Sequence, residues 1–377
     1  MQKLFKKYII NNIDLFFYVF LFSYFFYKFT SYKSFFYLYI NEWAFSETLI
    51  NYSGGFVRRG FLGEFFSTIL QTSGSRYYTL SFVFFLSSFI HCLYFIYNKS
   101  KHFPLLTRLA FIFCPFGIYY LISNINFFFG RRDILILNFL IVMCSKNFKS
   151  FNSKIFTFFI FGSILTLTYE MFLFFLPLFW KIIISHSKQE SNLKIITFGL
   201  ISTLNILMIT LYSTPRNFNF LCKNIEIKRI NMNLENLNCW GAPYYLENQN
   251  KLIWMSEIIE GLKFSSNYAL WSLSLFLLLM FINFFGSSYK LLIIPLFALF
   301  FIAQDYGRWF FLIFATTVIV STENEGYHLK LNRSKTIGYL LIMFGIVLDI
   351  PIYLFQVKEF LRFWYGNHQK LIPLKHE

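Results

Sequence analysis

The run IFTFFIFGSILTLTYEMFLFFLPLFWKIII, residues 155–184, decides how the rest of the chain is laid out. It can be one very long span or two short ones, because a perpendicular helix needs only ~20 residues to cross the hydrocarbon layer. Glu170, its one carboxylate, sits in the middle beside Tyr169. A single pass would put the later basic loops outside, so two passes that turn near Tyr169 and Glu170 are preferred. The choice propagates, since a single pass would invert every later segment.

Working outward, the chain of 377 residues is 56% hydrophobic, 23% aromatic and only 14% charged, with a mean hydropathy of +0.53. These proportions exclude an ordinary soluble domain and predict an all-α polytopic membrane protein. Lys3, Lys6 and Lys7 precede an apolar run at 15–29 that lacks a small-residue cleavage site and is expected to stay as the first span. Further runs at 80–97, 105–122, 134–144, 155–168, 171–184, 195–211, 268–285, 291–303, 310–320 and 337–355 bring the total to about eleven transmembrane or re-entrant helices. Residues 1–377 then form one integral membrane domain, with 213–266 as its large loop.

Charge sets the orientation. With the N-terminus inside, the loops carrying Lys99, Lys101 and Arg108, then Lys146, Lys149 and Lys154, then Lys181, Lys188 and Lys194, then Lys290, then Lys330, Arg333 and Lys335 all fall on the cytoplasmic side. That is the positive-inside pattern for short connections. The net charge of +16 is scattered between apolar runs, not gathered on one face, which argues against a nucleic-acid partner. No CxxC or Cys/His cluster is present, so thiolate metal binding is not expected. Cys222 and Cys239 share the 213–266 loop and are a candidate disulfide if that loop meets an oxidising compartment.

On this layout five polar motifs share the outer face: Asn51-Tyr-Ser-Gly-Gly-Phe-Val-Arg-Arg-Gly-Phe-Leu-Gly-Glu64, Gly130-Arg-Arg-Asp133, Tyr169-Glu170, the 213–266 loop, and Gln304-Asp-Tyr-Gly-Arg-Trp309. Glycines permit tight turns and close backbone approach, and arginines offer planar forks for phosphate or carboxylate oxygens. Arg58, Arg59, Arg131, Arg132 and Arg308 supply permanent cations for a diphosphate leaving group. Glu170, Asp133, Asp305 and Glu64 supply acids, with Glu170 the first choice for a base that takes a proton from an attacking sugar hydroxyl. Each has a plainer reading. Asp133 suits the N-cap of a helix starting at Ile134, Arg131 and Arg132 suit interface anchors, and Asp305 and Arg308 suit a local pair. Tyr169, Tyr306 and Trp309 suit an interfacial aromatic belt. Within 252–262, helical spacing of Leu252, Met255, Ile259 and Leu262 predicts an amphipathic helix.

The strings Gly54-Gly-Phe-Val-Arg-Arg-Gly60, Gly130-Arg-Arg-Asp133, Tyr169-Glu170 and Asp305-Tyr-Gly-Arg308, set among many spans with a sizeable outer loop, resemble the O-antigen polymerase (Wzy) family. The resemblance implies a GT-C-like glycosyltransferase of the bacterial inner membrane. It would need no metal or cofactor, and would join undecaprenyl-diphosphate-linked repeat units on the periplasmic face, with a chain-length regulator as a partner. It also implies that the five arginines hold the donor diphosphate. Two other readings stand beside it. One is a GT-C transferase using a polyprenyl-monophosphate sugar, in which an acid of the first outer stretch, Glu42, Glu47 or Glu64, is central. The other is a lipid-linked glycan flippase, which would show paired repeats and midplane charges that the sequence lacks.

Overall fold

The computed structural model describes residues 47–57, 59–69, 74–100, 105–113, 130–145, 151–185, 192–210, 216–230 and 306–321, with a few isolated positions. Among the described residues the chain is helical, with no strand. A 3₁₀ turn, Tyr52–Gly54, leads to the short α1, Gly60–Glu64, which widens into a π-type turn over Phe65–Ile69. Then come α2 (Gly74–Ser100), α3 (Leu105–Phe113), α4 (Asp133–Cys144) and α5 (Phe151–Thr168). A 3₁₀ stretch, Glu170–Phe175, precedes α6 (Leu176–Ser185), α7 (Asn192–Thr210), α8 (Phe218–Ile230) and α9 (Tyr306–Ser321).

Helix α4 is apolar on every side, as a helix with neighbours all round should be, and it packs against α2, α5, α6 and α9. Its one mid-helix polar residue, Asn138, is fully used: its amide donates to the Ser88 carbonyl at 2.8 Å and its oxygen lies 2.7 Å from Nδ1 of His91. This fastens α4 to α2 by hydrogen bonds in an otherwise apolar contact. Asn205 does the same between α7 and α5, donating to Oγ1 of Thr166 at 2.7 Å.

The chain reverses between α5 and α6, as the charge of the later loops suggested. Tyr169 is extended (φ −160°, ψ 113°), which ends α5. Phe158 of α5 and Phe179 of α6 have ring centroids only 5.6 Å apart, and both rings meet Phe139 of α4, at 6.1 and 4.9 Å. Those two positions would be about 30 Å apart in one straight helix. Gly162 supports the same return, because a Cβ there would lie 3.6 Å from the Phe172 ring.

Among the described residues, two helices are long and apolar enough to cross a membrane, at Arg76–Asn98 and Phe151–Thr168, and four more are apolar but shorter. Large apolar side chains stand outward on them, including Val83, Ile90, Phe156, Phe161, Leu200 and Ile206. An exterior of that kind suits lipid better than water. The expected spans at 15–29, 268–285, 291–303 and 337–355, most of the 213–266 loop with its 252–262 helix, and the C-terminal tail lie outside the described residues, apart from isolated positions.

Candidate functional site

The site is built from the turn that precedes α1. Gly55 takes φ +101°, a value that side-chain-bearing residues rarely adopt. Gly63 lies so close to residues 48–50 that a Cβ would come within 2.0 Å of the Ile50 carbonyl oxygen. Arg59 itself is left-handed (φ 68°), an unfavourable conformation for a residue with a Cβ. Such strain persists where surrounding contacts fix it. Here the contact is electrostatic: Nη1 of Arg59 lies 3.2 Å from Oε1 of Glu47, and its guanidinium sits 5.6 Å from the centre of the Tyr169 ring.

Glu47 is the meeting point. It is buried, and its second oxygen lies 3.5 Å from Nε of Arg132. Arg132 is also buried and ties three stretches together, donating to the carbonyls of Thr168, at the end of α5, and of Glu47. Burial pushes the Glu47 carboxyl up, but the guanidiniums of Arg59, Arg132, Arg131 and Arg308 outweigh it and hold the group below the ordinary carboxylate value. Glu47 is therefore a fixed anion among fixed cations.

A second knot adjoins the first. Nε of Arg308, in the first turn of α9, lies 2.8 Å from Oδ2 of Asp133, the first residue of α4. Its Nη2 donates to the Tyr169 hydroxyl at 2.6 Å, and its guanidinium sits 4.2 Å from the centre of the Trp309 ring. Arg131, Arg132, Asp133 and Arg308 are each at most 7% exposed, so low-dielectric surroundings strengthen these pairings relative to water. Arginines from three distant stretches and two carboxylates thus share one end of the bundle. That arrangement can hold a phosphate group by bidentate contacts and offer a carboxylate beside it.

The described part of the 213–266 loop reaches the same end. The backbone N–H of Asn217 donates to the Gly54 carbonyl at 2.9 Å, and Asn51 donates to Oδ1 of Asn224 on α8 at 3.1 Å. Cys222, also on α8, is disulfide-bonded, while Cys239 lies outside the described residues.

Several expectations change. Asp133 does not cap α4: Arg132 holds the cap position, and no side-chain cap bond is made. Glu64 does not join the arginines. It accepts from the Tyr52 N–H at 3.1 Å and from the Thr68 hydroxyl, which stitches the turn to α1. Tyr169 and Trp309 are buried at 3% and 0% exposure, inside the network and not on an interfacial belt. Arg58, Asp305 and the Glu170 side chain lie outside the described residues. Glu47, weighed only for the monophosphate reading, carries the centre. Its signal in the sequence was faint, an acid four residues before Asn51. Among the described residues, no three His, Cys, Asp or Glu side chains gather as a metal site would require.

No protein-family model matches the chain, and neither a curated protein nor a solved structure does.

Proposed function

We propose that this chain is a multi-pass inner-membrane glycosyltransferase that takes a sugar or glycan from a polyprenyl phosphate carrier. The observation that carries the reading is the single buried network in which Arg59, Arg131, Arg132 and Arg308 meet Glu47 and Asp133. Guanidinium forks neutralise the charge that grows on a departing phosphate, and a neighbouring carboxylate takes the proton of the attacking hydroxyl.

Within this class the lead reading is a surface-polysaccharide polymerase that joins undecaprenyl-diphosphate-linked repeat units on the periplasmic face. The resemblance of its Gly/Arg strings to O-antigen polymerases supports that reading, as does the number of arginines. A chain-length regulator is the partner it calls for. Glu47 favours a second reading, a transferase using a polyprenyl-monophosphate sugar, because an acid of the first outer stretch is central there.

Deletion of the gene and complementation with Arg59→Ala, Arg131→Ala and Arg308→Ala tests the lead. Surface polysaccharide run on a gel should lose its long-chain ladder and keep one repeat unit. Loss of even that unit would point instead to flipping or repeat-unit assembly. A strict requirement for a divalent cation in isolated membranes would transfer support to the monophosphate reading.

A further inference from the structure

We propose that Asp133 is the proton acceptor in the transfer step and that Glu47 is a positioning residue; this rests on the glycosyl-transfer reading above. The two buried acids are used differently. Both oxygens of Glu47 face guanidinium groups, Oε1 at 3.2 Å from Arg59 and Oε2 at 3.5 Å from Arg132, and its backbone carbonyl takes a further N–H of Arg132. An anion held that way resists protonation. What it does well is fix the directions of two arginines that come from different parts of the chain.

Asp133 is 5% exposed, and no hydrogen bond of good geometry reaches either of its carboxylate oxygens, although Nε of Arg308 lies 2.8 Å from Oδ2 and the Tyr169 hydroxyl is near. It stands at the first position of α4, one residue inside the cap, and accepts no helix N–H either. A buried carboxylate with unused lone pairs costs stability. The cost is explained if an incoming hydroxyl supplies the missing hydrogen bond. Arg308 beside it would place the departing phosphate next to the same acid.

The step balances as follows. The acceptor O–H gives its proton to Asp133 as its oxygen forms the new bond to the anomeric carbon. The bond from that carbon to the phosphate oxygen breaks, and the electron pair leaves on the phosphate, where Arg308 and its neighbours hold it. The proton then passes from Asp133 to the released phosphate or to solvent.

The test uses membranes bearing the full chain and, as donor, the lipid-linked oligosaccharide that accumulates in the deletion strain. Asp133→Asn should lower kcat about 10²–10⁴-fold and leave the donor KM within about threefold. Thermal stabilisation by added undecaprenyl diphosphate should also persist, and the residual activity should lose the acid limb of its pH profile. Glu47→Gln should instead raise the donor KM and weaken that stabilisation. Should Asp133→Asn fail to accumulate, Asp133→Glu keeps the charge and displaces it by one methylene, with an expected loss of about 10²-fold in kcat. An Asp133 variant that turns over at the wild-type rate overturns the proposal, as does Glu170→Gln taking the kcat loss in its place. Wild-type membranes that transfer nothing from any lipid-linked donor would instead overturn the glycosyltransferase reading itself.

Discussion

The two ends of α2 treat positive charge in different ways. At its start, the Tyr77 hydroxyl donates to the Thr48 carbonyl, one residue from Glu47, where arginines meet carboxylates. At its other end, about 30 Å along the helix, Arg108 donates to the Tyr97 hydroxyl at 2.6 Å and lies 5.2 Å from the centre of its ring. Lys154, at the start of α5 and so at that same far end, is 1% exposed. A ring and a hydroxyl help to seat this cation at the bundle end. Buried acids add little net stability, because their desolvation offsets the attraction, but they fix where each guanidinium points. The difference teaches that carboxylates fix the guanidiniums at the Glu47 end, while the ring and hydroxyl of Tyr97 help to seat Arg108 at the other.

The comparison breaks most sharply at Arg132. Arg132→Ala leaves Glu47 buried without a main partner and should cost about 3–5 kcal/mol, enough to abolish accumulation. Arg108→Ala should cost less, about 1–3 kcal/mol. Denaturation of the purified chain in detergent measures both. A pair of glycines gives the next largest contrast. Gly63→Ala drives a Cβ to within 2.0 Å of the Ile50 carbonyl oxygen, so backbone must move, at about 3 kcal/mol. At Gly162, in mid-bundle, the nearest atom is the flexible end of Ile201 at 2.9 Å, and Gly162→Ala should change stability by less than about 1 kcal/mol.

Lys228 of α8 sharpens the picture through pH. Burial lowers it from 10.5 to about 8, opposed by the Glu64 carboxylate, and its ammonium lies 5.6 Å from the centre of the Tyr77 ring. Between those two values the unfolded chain binds the proton that the folded chain has lost, so stability rises with pH across that window. Below about 8 the penalty for burying the charge is fully present. Lys228→Met should raise the melting temperature at neutral pH and flatten the rise above it. Glu47 works the other way. Its lowered pKa contributes stability above the ordinary value of 4.5 that is lost as pH falls through the folded value, so Glu47→Gln should blunt acid denaturation. The smallest effect belongs to Phe220, which is 54% exposed on α8, where Phe220→Ser should stay within about 0.5 kcal/mol.

The reversal at Tyr169 was legible in the sequence because a single pass there would put the later basic loops on the wrong side. The convergence of Arg59, Arg132 and Arg308 was legible for a related reason, since alternating passes leave only two faces to share. Glu47 was not, because nothing in the local sequence sets it apart from Glu64 until the glycine turn brings it to the arginines. Local chemistry misled for Asp133, whose N-cap pattern is overridden by the ion pair with Arg308. It misled again for Tyr169 and Trp309, whose belt-like composition says nothing of the arginine that draws them inside.

A double-mutant cycle on Asp133 and Arg308, read by unfolding free energy in detergent, tests most directly whether distant stretches share one site. Asp133→Asn and Arg308→Gln together should lose less than the sum of the separate losses, with a coupling of about 1–3 kcal/mol. Losses that add to within about 0.3 kcal/mol would mean that the two side chains never meet.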